Sequence, residues 1–275
     1  MAGTDTPSNA PLALITGASS GMGREIARRL ARRGYRTLLV ARREALLREA
    51  SEELSRFAPS VGLSLDLNDP AAIEAAIPAA LAEHGDPEVL INCAGHGLYR
   101  LAKDQADAEV RTLMQVHYFA AFALIRLTLP AMLQRRKGHV INIASMSTKI
   151  GPWGHAGYAA AKAALVSLTQ SLAAEHQVDG VRFSYVNPGI VRTDYFASPA
   201  VAGLFGRQQR RAIEPGRVAD ATVRLLDHPR LEICVPGHYR ALDWLKAISP
   251  GLAHRIVASE SRPPPDAVLS QEGGG

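Results

Sequence analysis

The sequence contains few cysteines and few aromatic residues. Two of its 275 residues are cysteine, Cys93 and Cys234, and no CxxC spacing occurs. Two cysteines cannot build the disulfide framework of a small secreted protein. We therefore expect a reducing, cytoplasmic environment and no metal site. Residues 1–11, MAGTDTPSNAP, have no cationic flank and no apolar stretch, so we expect no signal peptide there.

An excess of charge of one sign is also missing. The chain has 31 Lys and Arg against 26 Asp and Glu, and its basic residues are scattered as short arginine pairs. This pattern gives no support to nucleic-acid binding. Hydrophobic residues make up 47% and the mean hydropathy is -0.02, which is typical of a soluble globular protein with a sizeable core.

Short apolar runs alternate with amphipathic helical patterns along most of the chain. The apolar runs are Leu12 to Ile15, Thr37 to Val40, Val61 to Leu65, Val89 to Ile91, Val140 to Ile143, Val181 to Val186 and Leu231 to Val235. The helical patterns are 24–33, 44–57, 71–82, 106–133 and 158–176. Short strands separated by helices predict a parallel sheet covered on both faces. We predict one doubly wound, Rossmann-type α/β domain over residues 11–238.

The remaining segments differ in composition. We predict a flexible N-terminus at 1–10, a substrate lid at about 193–213, a C-terminal helical extension at 239–261 and a disordered tail at 262–275. The extension carries Leu242, Leu245, Ile248, Leu252 and Ile256 on a broken helical stripe.

A glycine-rich turn joins the first predicted strand to the first predicted helix. Glycines in such a turn let the backbone approach a pyrophosphate, which then binds the helix N-terminus. The spacing is GxxxGxG and not GxGxxG, and a tight turn that binds nothing is the alternative. The candidate cofactor-binding residues here are Gly17, Ser19, Ser20, Gly21, Met22 and Gly23.

Arginines follow the second predicted strand, where a carboxylate would select NAD. Arg42 and Arg43 stand there, and the first carboxylate is Glu44. A guanidinium binds the 2′-phosphate of NADP through charge-assisted hydrogen bonds. We predict NADP(H), with Arg42 on the phosphate and Arg43 beside it or the adenine; the alternative is a solvated helix start. Asp66, next to Leu67, could hold the adenine or cap the next helix.

A tyrosine, a lysine and a serine form the candidate catalytic group. Tyr158 and Lys162 are four residues apart in a helical pattern, so they share one face. A nearby ammonium favours the phenolate, which predicts a lowered tyrosine pKa and proton exchange with a substrate oxygen. By themselves, the two residues would more often be a solvated helix face. Ser145, at the end of a predicted strand, can hydrogen-bond the same oxygen.

Four motifs together resemble the classical short-chain dehydrogenase/reductase family, in an NADP-preferring form with an extended C-terminus. They are TGASSGMG at 16–23, NCAG at 92–95, Ser145 followed by YAAAK at 158–162, and NPG at 187–189 followed by Val191 and Thr193. The resemblance implies that Tyr158 is the general acid/base, with Lys162 binding the nicotinamide ribose. It also assigns cofactor-side positions to Asn92, Ala94, Gly95, Pro188, Gly189, Val191 and Thr193.

The chain departs from this family in its fourth helix. Many relatives have an asparagine there that completes a water relay behind the lysine, whereas this chain has His117. An imidazole could keep the relay running or make it sensitive to pH. The alternative is a histidine packed for shape. We include His117 among the candidate catalytic residues.

The C-terminus is the second departure, since much of the family ends soon after a glycine-rich segment at a tetramer interface. The longer chain makes us favour a homodimer over a tetramer. The apolar stripe with Trp244 could cover the substrate cleft, pack in a partner subunit or make a peripheral membrane contact.

Apolar residues in the predicted lid suggest a hydrophobic substrate. They are Tyr195, Phe196, Val201, Leu204 and Phe205, with Trp153 and His155 before the tyrosine. We predict an oxidoreductase that interconverts a ketone and a secondary alcohol on a lipid-like, steroid-like or 3-oxoacyl small molecule. The alternatives are a nucleotide-sensing protein that has lost turnover and a membrane-docked lipid ketone reductase.

Overall fold

The computed structural model describes residues 10–193 and 211–262. The flexible N-terminus, most of the lid and the disordered tail that the sequence predicts lie outside these ranges. Seven strands, numbered along the chain, have these bounds: β1 Leu12–Thr16, β2 Arg36–Ala41, β3 Ser60–Ser64, β4 Val89–Asn92, β5 Gly138–Ile143, β6 Val181–Pro188 and β7 Glu232–Val235. They form one parallel sheet in the order β3-β2-β1-β4-β5-β6-β7.

Helices connect the strands and cover both faces of the sheet. They are α1 Gly21–Arg32, α2 Glu44–Leu54, α3 Pro70–His84, α4 Asp107–Met114, α5 Ala120–Gln134, α6 Ala156–Glu175, α7 Pro215–Arg224, α8 Ala241–Ile248 and α9 Pro250–Ser261. One hydrophobic cluster packs α1, α2 and α7 on one face, and a second packs α3 and α5 on the other. The predicted Rossmann-type fold is confirmed.

The strand order reverses between β1 and β4, and this reversal places the functional site. β1 pairs with β2 on one side and with β4 on the other, and all five of its residues are buried. The connections after β1 and β4 leave the sheet in opposite directions, which opens a crevice at the carboxyl ends of the strands.

The stretch Asp107–Gln134 is the one described segment long and apolar enough to span a membrane. Leu124, Ile125 and Met132 of this stretch are buried in the core against the sheet. The stretch therefore packs as a core helix of the sheet.

Three helical features differ from the sequence prediction. The expected single helix at 106–133 contains a π-helical turn at Gln115–Phe119, between α4 and α5. The extension forms two helices, because Pro250 starts α9 instead of interrupting one helix. Helix α7 is not predicted, although Pro215 at its first turn is a start signal that could have revealed it.

Candidate active site

A cavity of about 810 Å³ lies at the carboxyl ends of the central strands. It runs from the glycine turn, past α6, to the C-terminal helices α8 and α9. All but one of the predicted site residues line it: Gly17, Ser19, Ser20, Gly21, Met22, Gly23, Arg42, Arg43, Asp66, Leu67, Ala94, Gly95, His117, Ser145, Tyr158, Lys162, Pro188, Gly189, Val191 and Thr193.

Asn92 is the exception, because it lies buried behind the cavity wall. Its Nδ2 donates to Oδ1 of Asn142 at 2.8 Å, and Asn142 in turn donates to Oγ1 of Thr169 at 2.8 Å. This chain of hydrogen bonds ties β4 and β5 to α6. Asn92 therefore supports the site from behind and does not contact a ligand in the cavity. Sequence reasoning missed Asn142, although a polar residue inside an apolar strand is a visible signal.

The glycine turn forms a backbone cradle at one end of the cavity. Gly17 has a φ of +68°, and a Cβ there would lie 2.9 Å from Cα of Ala94. A Cβ on Gly23 would lie 2.2 Å from the Gly17 carbonyl oxygen. Only glycine fits at either position, since both contacts are with backbone atoms.

The N-terminus of α1 opens onto this cradle. Ser20, at the N-cap, makes no side-chain capping bond, and the first turn contains no acidic residue. The amide groups of Gly21, Met22 and Gly23 have no intrahelical acceptor, because they begin the helix. The helix dipole adds positive potential at this end, so the cradle suits a phosphate.

The two arginines after β2 have different surroundings. Arg43 donates from Nη2 to the hydroxyl of Ser20 at 2.5 Å and to that of Ser19 at 3.3 Å, so it braces the turn. Arg42 is exposed on the cavity wall. Burial lowers the pKa of His96, and the charge of Arg42 lowers it further. A guanidinium therefore stands at the position where an acidic residue would exclude a phosphate.

Asp66 lines the cavity and does not cap α3. Its Oδ1 accepts from the backbone and side-chain amides of Asn68, each at 2.9 Å. The cap of α3 is Asp69, which accepts from the amide of Ala72 at 3.0 Å. The capping alternative for Asp66 is wrong, because its carboxylate turns back onto its own loop.

Tyr158 and Lys162 lie one turn apart on α6, and Ser145 follows β5 directly. All three line the cavity. Burial raises the pKa of Tyr158, while a hydrogen bond with the side chain of Ser145 works in the opposite direction. Burial lowers the pKa of Lys162 to about 8, because a desolvated ammonium is disfavoured.

The expected lowering of the tyrosine pKa by Lys162 is wrong for this structure. The amine of Lys162 donates to the carbonyl oxygen of Ile143 at 2.6 Å. The pKa of Tyr158 is raised overall because burial outweighs the hydrogen bond with Ser145. The phenol is therefore protonated at neutral pH.

His117 lies in the π-helical turn and is 2% exposed. Its Nε2 is 2.9 Å from the carbonyl oxygen of His96, which makes Nε2 the protonated nitrogen. Its Nδ1 is buried and has no hydrogen-bond partner among the residues that the structure describes. Burial and the charge of Lys162 hold the pKa of His117 well below 6.5. The imidazole is therefore neutral, which disfavours a switch that titrates near neutral pH.

The far end of the cavity is built by the C-terminal extension. Its lining residues from this segment are Tyr239, Leu242, Ile256, Val257, Glu260 and Ser261. The predicted stripe is divided, because Leu242 and Ile256 reach the cavity whereas Ile248 is 81% exposed. Sequence reasoning identified the segment but not which of its residues face inward.

Two sets of contacts hold the extension in place. Ser261 accepts from the amide of Trp153 at 2.9 Å, on the loop that leads into α6. Lys149 forms ion pairs with Glu232 of β7 at 2.5 Å and with Asp243 of α8 at 3.0 Å. The wall at this end of the cavity is therefore fastened to the segments that carry Ser145 and Tyr158.

Comparison with known proteins places this geometry in context. Residues 11–200 match the family model described as short chain dehydrogenase. The dehydrogenase/reductase SDR family member 7B of Bos taurus is 32% identical over 262 residues, covering 90% of this chain and 81% of that protein. The 3-oxoacyl-acyl-carrier-protein reductase of Escherichia coli K12 is 37% identical over 183 residues, covering 66% and 74%.

Solved structures show the same architecture. A short-chain dehydrogenase from Sphingobium yanoikuyae in complex with NADPH superimposes with a TM-score of 0.78 at 29% identity. The superposition covers 88% of this chain and 94% of that one. The similarity therefore extends over nearly the whole described structure.

Proposed function

Because the chain belongs to the short-chain dehydrogenase family, we propose that this oxidoreductase uses NADP(H) to reduce a hydrophobic ketone to a secondary alcohol. The resemblance seen in the motifs is confirmed. One observation carries the finer proposal: Ser145, Tyr158 and Lys162 share a single cavity with the glycine cradle.

The residues present fit a dinucleotide. The turn leaves no room for a Cβ at Gly17 or Gly23, and the uncapped start of α1 faces the cavity. These features suit the pyrophosphate, and Asp66 and Leu67 at the cavity wall would hold the adenine while the segment Pro188 to Thr193 would hold the nicotinamide. When bound, the cofactor supplies or accepts the hydride, and the protein contributes placement and proton transfer.

The preference for NADP(H) rests on Arg42. It is exposed at the cavity wall after β2, where no carboxylate precedes Glu44. A guanidinium offers the 2′-phosphate paired, charge-assisted hydrogen bonds, and a carboxylate at this place would repel it. The NADPH complex of the Sphingobium yanoikuyae relative supports the same assignment.

Tyr158 is the proposed proton donor. Ketone reduction leaves negative charge on the carbonyl oxygen, and a proton must reach that oxygen from a neighbouring acid. The raised pKa of Tyr158 keeps its phenol protonated at neutral pH, which is the state a general acid requires. Ser145, hydrogen-bonded to the phenol, orients the same carbonyl oxygen.

Lys162 has a positioning role in this scheme. With a pKa of about 8 it carries a proton for most of the time at pH 7. Its ammonium would donate hydrogen bonds to the ribose of a bound cofactor, and its positive charge in the cavity would offset the negative charge left when the tyrosine gives up its proton. Its hydrogen bond to Ile143 fixes the amine against β5.

The substrate end is predominantly apolar. Ile150, Leu242, Ile256 and Val257 line it, and His155 contacts the ring of Tyr158 with centroids 6.0 Å apart. Such a wall favours lipid-like, steroid-like or 3-oxoacyl ketones over sugars. The Escherichia coli relative is a 3-oxoacyl reductase, which agrees with this substrate class.

A Tyr158→Phe variant tests the proposal. We expect the wild type to oxidise NADPH, followed by absorbance, with at least one member of a panel of apolar ketones. The variant should bind NADPH normally and lose roughly 1,000-fold or more in kcat, because the proton donor is gone. Tyr35→Phe, at a partly buried phenol outside the cavity, is the matched control. NADPH binding without turnover of any carbonyl would instead indicate the nucleotide-sensing alternative.

A further inference from the structure

The paired helices α8 and α9 present large apolar side chains to solvent. Trp244 is 73% exposed and Ile248 is 81% exposed, one turn apart on α8. Leu252 at 41% and Ile256 at 40% are one turn apart on α9, which packs against α8. We call these four residues the apolar tip. Soluble proteins rarely leave such a group uncovered unless it contacts a partner or a membrane.

Cations border the apolar tip. Arg240, one turn before Trp244, and Arg255, next to Ile256, are exposed, whereas the ammonium of Lys246 donates to the carbonyl oxygen of Lys149 at 2.7 Å. Each of the two carboxylates of these helices has a cationic partner, Asp243 with Lys149 at 3.0 Å and Glu260 with Arg211 at 3.4 Å. Among the described residues, neither Arg240 nor Arg255 forms an ion pair. The surface therefore combines exposed apolar groups with a positive rim.

We propose that the apolar tip docks the protein on an anionic phospholipid bilayer. A bilayer offers an apolar interior beneath a negative surface, which complements both parts of the tip. Tryptophan is enriched at the membrane interface because its ring is amphipathic. A second copy of this chain fits less well, since it would bring the same uncompensated arginines into contact and add repulsion.

The position of Ile256 links the docked surface to the cavity. This residue is exposed on the tip and also lines the cavity wall, beside Val257. A docked molecule would hold the substrate end of the cavity next to the bilayer, so a lipid-like ketone could enter from the membrane. This second step rests on the proposed function, whereas the docking itself does not.

Vesicle co-sedimentation of the full chain tests the docking. We expect binding to phosphatidylcholine vesicles that contain phosphatidylserine, and weaker binding to phosphatidylcholine alone or in high salt. The double variant Trp244→Ser, Ile248→Ser should bind at least roughly tenfold more weakly, because it loses two apolar side chains that docking would bury in the bilayer. Val178→Ser removes a side chain that is 80% exposed outside the tip and should bind as the wild type does.

Two further measurements separate docking from misfolding and from self-association. In a Trp153→Phe background, emission from Trp244 should shift to the blue when the anionic vesicles are added. Arg240→Glu, Arg255→Glu should reduce binding to those vesicles even if the serine variant folds poorly. The proposal is overturned if wild type and variants bind alike, if the wild type does not bind, or if the tip variants instead abolish a dimer. Loss of soluble-ketone turnover would concern the proposed function alone.

Discussion

The imidazole of His117 meets the phenol ring of Tyr158 edge-on, with ring centroids 5.3 Å apart and an interplanar angle of 84°. The contact packs a neutral, almost fully buried histidine against the proposed proton donor. Edge-to-face pairs of this kind contribute about 0.5–1.5 kcal/mol. The histidine therefore positions the tyrosine through shape, and its Nε2 links the same contact to the backbone at His96.

A His117→Asn variant should lower kcat by roughly two- to tenfold, since the loss of the ring contact relaxes the position of Tyr158. The pKa of His117 is held well below 6.5 by burial, so the imidazole is neutral from pH 7 to 9. We expect pH profiles of kcat for variant and wild type to have the same shape over that range. A step in the wild-type profile that the variant lacks would contradict this positioning role.

Arg42→Asp should raise the KM for NADPH by roughly 30-fold or more and leave the KM for NADH nearly unchanged. The variant removes a charge-assisted bond and adds a carboxylate that repels the 2′-phosphate. Arg48→Asp is the control, since Arg48 is 67% exposed on α2 and pairs with Glu44. Steady-state kinetics with both cofactors give the answer. Equal effects on the two would show that Arg42 does not contact the phosphate.

Asn142→Ala should reduce the free energy of unfolding by about 2–4 kcal/mol. Asn142 is fully buried, and its loss leaves Nδ2 of Asn92 without its acceptor and removes the donor to Oγ1 of Thr169. Urea denaturation followed by circular dichroism measures the change. The same variant should lower kcat, because α6 loses its tie to the sheet. A loss below about 0.5 kcal/mol would mean that the network contributes little.

Stability should fall between pH 6.5 and 5 because of His139. It is 5% exposed, and burial lowers its pKa to about 4. An unfolded histidine titrates near 6.5, so the unfolded chain binds the extra proton across this interval. The stability that comes from keeping His139 neutral in the folded chain is present above pH 6.5 and is lost as the pH falls towards 4. From pH 6.5 to 5 the loss should be about 2 kcal/mol.

His139→Gln should remove most of that pH dependence. The hydroxyl of Ser184 donates to the carbonyl oxygen of Arg230 at 2.6 Å, so Nε2 of His139 must donate to the Ser184 oxygen. A glutamine amide can replace this donor. His228→Gln, at an exposed site, is the control. Unfolding free energies at pH 7 and pH 5 provide the comparison. An equally steep decline in the His139 variant would assign the acid sensitivity to other groups, among them His117.

The alternation of strands and helices was predictable because buried parallel strands are apolar on both faces, as in β1. The glycine turn and the spacing of Tyr158 and Lys162 were predictable for a similar reason. Each depends on residues close together in the chain, where periodicity and turn chemistry determine the geometry.

Other features were not predictable because they depend on distant residues or on subtle backbone geometry. A π-helical turn such as Gln115–Phe119 has no periodicity that separates it from an α-helix over so few residues. The raised pKa of Tyr158 follows from burial, which a sequence does not measure. The contact of Ser261 with Trp153 joins residues 108 positions apart.

That last contact makes the two ends of the cavity mechanically dependent on each other. The same side chain that closes the apolar compartment also anchors the backbone immediately upstream of the proton donor. A truncation that ends the chain before Ser261 should therefore disturb turnover as well as substrate selectivity. Retaining Ser261 while varying Leu242 and Val257 offers a way to reshape ligand choice with the reacting groups left undisturbed.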